Sequence, residues 1–179
     1  MADRADGLRA LTVTDDGSGM DAALLSRVTD PFSTTRTTRP VGLGLPLLKL
    51  AAEQTGGTLT VESRTAADAR PGEAFAAGSA HGTRVTATFD PRHIDCVPLG
   101  DVAATVVTLL QGDPGVSFRF SFALCGMAEP FTLDTEQMRA ALGGEVPLNA
   151  PEVLVWAGEC VREALQGAFD AGQEQAGEP

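Results

Sequence analysis

Cations are scarce in this chain: 13 lysines and arginines stand against 24 aspartates and glutamates, a formal charge of −11 over 179 residues. Such a balance repels a nucleic-acid backbone unless a basic patch offsets it, and the nearest thing to a patch is Arg36 with Arg39. Direct DNA or RNA binding is not expected. Cysteine and histidine are sparse as well. Cys96, Cys125 and Cys160 are an odd number, widely spaced and without a C-x-x-C, and there are only two histidines. No zinc-site spacing emerges, and reduced, buried thiols are expected. No apolar run reaches membrane-helix length, and residues 1–10 carry charges where a signal peptide would carry an apolar stretch. The expectation is a cytoplasmic globular protein, in keeping with a 43% hydrophobic fraction and a mean hydropathy of +0.02.

What is present centres on Asp15-Asp16-Gly17-Ser18-Gly19-Met20. Leu11 and Val13 alternate with Thr12 and Thr14 as in a strand with one buried face, and that strand delivers Asp15 to its end. A carboxylate followed by two glycines one residue apart gives a fixed acceptor beside a backbone that a flat ligand can approach closely. The plainer reading is a turn, since Asp-Gly is a common hairpin signal. Downstream, Gly42-Leu43-Gly44-Leu45 opens a helix with Pro46 in its first turn and Gly56-Gly57 beyond its end. Free N–H groups and the positive end of the dipole favour phosphate at such a start. Residues 21–29 have helical spacing with Asp21 as N-cap, ending at Asp30-Pro31. Thr58 to Ser63 and Thr83 to Phe89 alternate as two paired strands, with Leu59, Val61, Val85, Ala87 and Phe89 as buried candidates. Residues 64–82 between them, rich in Ala, Gly and charge, are expected to be mobile.

These boxes resemble the GHKL superfamily of ATP-binding domains. Asp15-x-Gly17-x-Gly19 is similar to its first glycine box and Gly42-x-Gly44 to its second, while Asp30-Pro31-Phe32-Ser33-Thr34-Thr35 looks like its F box. The run from Gly42 to Lys49 is most similar to the histidine-kinase version, and Gly82-Thr83 matches the later strand start. The resemblance implies an α+β fold, a two-layer α/β sandwich of the Bergerat type. It implies that Asp15 accepts from the adenine amine, with Thr83 helping directly or through water. Phe32, Thr35 and Arg36 fall in the ATP lid, where Arg36 or Arg39 would reach the terminal phosphates. Gly17, Gly19, Gly42, Leu43, Gly44 and Leu45 complete the nucleotide site. ATP is the implied cofactor, and Mg²⁺ with it.

The family's N-box helix, whose asparagine binds Mg²⁺, precedes the first glycine-box strand, and only Met1 to Gly7 precede it here. No residue takes the magnesium role, and efficient phosphoryl transfer by this chain alone is not expected. One sheet face near Leu11 and Val13 is expected to lie uncovered, giving an exposed apolar patch and self-association.

The division expected is a short lead (1–7), a partial, N-terminally truncated ATP-binding domain (8–90), an appended C-terminal α/β lobe (91–170) and a disordered tail (171–179). The lobe reads as αββαα or αβαα. It has a helix over 99–110, a strand over 116–124 bearing Phe118, Phe120 and Phe122, a short helix capped by Asp134, and a longer one opened by Asn149. Neither His81 nor His93 has a phosphoacceptor setting, so any target of a transferred phosphate is on another protein. Three functions remain open. They are a histidine-kinase-like ATPase with its N box lost, a nucleotide-sensing regulatory module without catalysis, and a scaffold for protein interaction, against which the intact glycines argue.

Overall fold

The computed structural model describes residues 1–31, 42–70, 72–76, 78–113, 115–125, 127 and 129–176, with side chains of the last helix described to Gln166. Elements follow as β1 (Ala2–Asp3), β2 (Arg9–Asp15), α1 (Ala22–Leu25), α2 (Gly44–Gln54), β3 (Leu59–Arg64), a 3-10 turn at Ala66–Asp68, and β4 (Gly82–Phe89). Then come α3 (Val102–Gly112), β5 (Arg119–Phe122), β6 (Phe131–Asp134), α4 (Thr135–Ala141) and α5 (Pro151–Ala176). The chain is α+β throughout. It divides into two compact units, Arg4–Val97 and Met1–Asp3 with Pro98–Pro179. The sequence had suggested a division at Asp90-Pro91; the first unit instead keeps residues 91–97, where Arg92 turns back to hold Asp90 (2.9 Å).

In the first unit β4 is central, antiparallel to both β2 and β3. The register builds three rungs on one face: Leu11–Ala87–Leu59, Val13–Val85–Val61 and Asp15–Thr83–Ser63. The intervening positions carry threonines and an ion pair, with Thr12 and Thr86 hydroxyls 3.2 Å apart and Glu62 3.6 Å from Arg84. Period-two alternation thus separates an apolar face from a polar one. Helix α2 lies against β4 and β3, and α1 against β3. Ala87 is fully buried, whereas Leu11 and Val13 on the flanking strand are 37% and 58% exposed. The uncovered apolar face expected at these two residues is present.

Helix α2 ends in a Schellman motif. Gly57 N–H donates to the Ala52 carbonyl (2.9 Å) and Gly56 N–H to that of Glu53 (3.1 Å), with Gly56 at φ +74°. A Cβ on Gly57 would collide with the Thr88 carbonyl, so the glycine pair both stops the helix and lets β4 pass. Helix α1 is shorter than the spacing suggested. Asp21 caps it through the Leu24 N–H (2.7 Å), but the chain leaves the helix in turns by Asp30. The β3–β4 connection, expected to be mobile, is tied down instead. Arg64 pairs with Glu73 at 3.1 Å, the Arg64 and Arg84 guanidiniums lie 4.5 and 5.4 Å from the centre of the Phe75 ring, and Ala76 is fully buried.

The second unit has the larger core. Val106, Leu110, Phe122, Leu133, Val153, Leu154, Val161 and Leu165 are among its buried residues, and α3 packs on α5. Its order is αββαα, with β5 and β6 antiparallel. Asp134 caps α4 through the Glu136 N–H (2.9 Å) and also binds Arg119 at 2.7 Å. Helix α5 starts at Pro151, with the Ala150 carbonyl accepting from Leu154 N–H (3.0 Å), so Asn149 is not its cap; proline supplies the first helical residue. It also runs past Gly172, where a disordered tail had been expected, to Ala176. One glycine costs a helix only about 1 kcal/mol. The cysteines are free, as expected, but none is buried: Cys96 and Cys160 are half-buried and Cys125 is exposed.

Candidate functional site

Strand β2 ends at Asp15, and the third rung sets Asp15, Thr83 and Ser63 side by side on the apolar face, at one end of the sheet. One Asp15 oxygen accepts from Gly17 N–H (2.9 Å), closing the turn that Asp-Gly suggests. Its other oxygen makes no hydrogen bond among the described residues. The turn and the ligand readings are therefore compatible: the turn fixes the carboxylate and leaves half of it free.

The loop that follows is pinned at three points. His81 Nδ1 lies 2.7 Å from the Gly17 carbonyl, which can only accept, so that nitrogen carries the hydrogen. Gly19 stands at φ +72° with the Arg64 carbonyl where its Cβ would be. Met20 N–H donates to Ser63 Oγ (2.8 Å). Gly82, at φ +129°, is equally constrained, since a side chain there would strike the Asp15 carbonyl. Glycine at 19 and 82 is thus demanded by packing of backbone on backbone.

Ser63 Oγ also lies 3.0 Å from the Gly82 carbonyl and 3.0 Å from Thr83 Oγ1. Serine has one proton and the carbonyl only accepts, so the arrangement satisfying every partner puts that proton on Gly82 and the threonine proton on Ser63. Thr83 Oγ1 then keeps its lone pairs. The rung presents two oxygen acceptors, Asp15 and Thr83, and this suits a ligand group with N–H donors.

Helix α2 provides the second half. Leu43 is its N-cap residue and makes no side-chain cap, so among the described residues the N–H groups of Gly44 and Leu45 remain available; Pro46 has none to satisfy. Gly42 is at φ +56°, and around Gly44 a Cβ would meet nothing within 4 Å. Both halves belong to the same compact unit. Phe32, Thr35 and Arg36, expected in a lid, lie outside the described residues. The sequence reading missed Ser63 and His81 as parts of the site. Ser63 ends a strand that the sequence shows, but only the antiparallel register sets it opposite Thr83, and nothing local marks His81 as the partner of a glycine 64 residues away. Two further concavities, of about 390 and 150 Å³, are lined by residues of the second unit only.

The antiparallel β2–β4–β3 layer with helices against it, a carboxylate-glycine turn at a strand end and a glycine-opened helix make this unit an α+β sandwich. The family model described as histidine kinase-, DNA gyrase B-, and HSP90-like ATPase matches residues 2–93, just over half of the chain, and the protein belongs to that family. No curated protein and no solved structure matches it.

Proposed function

We propose that the first unit binds an adenine nucleotide, with Asp15 and Thr83 reading the base and the start of α2, from Gly42 to Leu45, taking the phosphates. The carrying observation is the third rung, where two groups with acceptor capacity to spare, the second Asp15 oxygen and the Thr83 hydroxyl, end an apolar face. The apolar rungs suit the flat face of a base. The acceptors suit adenine's amine and disfavour a guanine carbonyl. Gly17 and Gly19 shape the loop beside it, and open space at Gly44 lets phosphate oxygens approach the backbone. By the family resemblance, Phe32, Thr35 and Arg36 would contribute to binding the same nucleotide.

ATP, when bound, supplies a transferable phosphoryl group; the residues here bind it and orient it. For the Mg²⁺ that the family uses, held as a rule by one or two protein groups and the nucleotide's own phosphates, this reading names no ligand among the described residues. No step is assigned through it. The biological reading is a cytoplasmic signalling or regulatory phosphotransfer component that acts on another protein, built from the ATP-binding unit Arg4–Val97 and the C-terminal unit. A second reading, a nucleotide-sensing module without catalysis, is favoured by the separate core of the C-terminal unit.

Calorimetric titration with ATP and ADP, with and without Mg²⁺, tests the site. Asp15→Asn turns an acceptor into a donor facing the amine and should weaken binding roughly ten- to a hundredfold. Equal affinity for the two proteins would remove Asp15 from the role.

A further inference from the structure

Helix α5 buries one side and leaves an unusual one exposed. Val153, Leu154, Ala157, Val161 and Leu165 face the core. On the opposite side Glu152, Val155, Trp156 and Glu159 recur at the i, i+3, i+4, i+7 spacing of one helical stripe. With Pro151 they line the shallow concavity of about 390 Å³. Trp156 is 50% exposed and Val155 60%. Half-open tryptophan beside an open valine is costly to leave in water, and tryptophan is the residue that most often anchors interfaces.

Charge decides what could cover it. Neither Glu152 nor Glu159 forms an ion pair among the described residues. Glu163 extends the acidic line one turn further, and Arg162 is the one cation near its far end. The Cys160 thiol beside this stripe is pushed up first by burial, then by Glu163 and Glu159, a sign that the local field is negative. A second copy of the chain would bring the same carboxylates against each other, and an anionic membrane would be repelled. A helix carrying lysines or arginines beside an apolar stripe meets both needs: its apolar side chains cover Val155, and a cation stacks on the indole between the two carboxylates.

We propose that the Val155–Trp156 stripe of α5 docks a basic amphipathic helix of a partner protein. The stripe is small, so the association is weak and reversible. It is independent of nucleotide binding and stands or falls without it.

The chain has one tryptophan and no tyrosine, so its intrinsic emission reports Trp156 directly. The full chain is titrated with a synthetic helix bearing a leucine stripe flanked by lysines, and with the same stripe flanked by glutamates. A saturable blue shift with the lysine peptide alone, weakened by salt, is expected. Glu152→Gln with Glu159→Gln should loosen it about three- to tenfold. Val155→Ser, an exposed position, should loosen it with the thermal melting curve unchanged. Equal binding of both peptides, no shift with either, a shift on concentrating the chain alone, or a shift with anionic vesicles would each overturn the proposal.

Discussion

At Gly19 the backbone stands at φ +72° with the Arg64 carbonyl in the space of a side chain, while at Gly44 that space is open. The two glycines therefore respond differently to the same substitution. Gly19→Ala should cost roughly 2 kcal/mol or more of stability, read as a lower urea midpoint. Gly44→Ala should leave stability unchanged or raise it by about 0.5–1 kcal/mol, since alanine is the better helix former, yet weaken ATP binding where phosphate must reach the backbone. A Gly44→Ala protein that binds ATP normally would detach the start of α2 from the phosphate role. His81 holds the Gly17 carbonyl from across the unit. Removing one such bond in His81→Ala should weaken ATP about fivefold in the same titration. An unchanged affinity would make the contact incidental.

Helix α4 is joined to the strand before it through a single residue, Asp134. Asp134 accepts from the first-turn N–H groups and from Arg119, and the Arg119 hydrogen bond, followed by those from Glu136 and Gln137, holds its carboxyl below the ordinary aspartate value of 3.8. A depressed folded pKa means the stabilisation is fully present above the ordinary value and is lost as pH falls through the lower, folded one. Urea midpoints of wild type and Asp134→Asn should therefore differ at neutral pH and converge in acid. Parallel curves down to the lowest accessible pH would show that this carboxylate is not the titrating support. Helix α2 is held at its end by the glycine-pair backbone bonds and by the Thr55 hydroxyl donating to the Ala52 carbonyl (3.0 Å), and its start carries no side-chain cap, so its stabilising device and its candidate ligand device sit at opposite ends.

For the molecule as a whole, the two units differ in how they are built. The second has a core of leucines, valines and a phenylalanine, whereas the fully buried apolar residues described in the first are alanines. Leu11 and Val13 are left open on its flanking strand. Exposed apolar rungs of this kind favour association. Sedimentation should show a mass that rises with concentration for the wild type and stays constant for Leu11→Ser with Val13→Thr. A wild type of constant monomer mass would mean the patch is too small to hold two copies together.

Local pattern alone was enough to end β2 at Asp15, to start α2 at Gly44 and stop it at Gly56-Gly57, and to cap α4 with Asp134, because glycine φ, proline position and period-two alternation act within a few residues. It also carried the family, since the glycine boxes are short and contiguous. The tertiary structure alone decided the rest. Only antiparallel register brings Ser63 to Thr83, only the fold places His81 against Gly17, and only packing brings Phe75 to two arginines and leaves Trp156 open. Those contacts join residues 9 to 64 positions apart, and no periodicity of a single segment encodes which distant partner will share its rung.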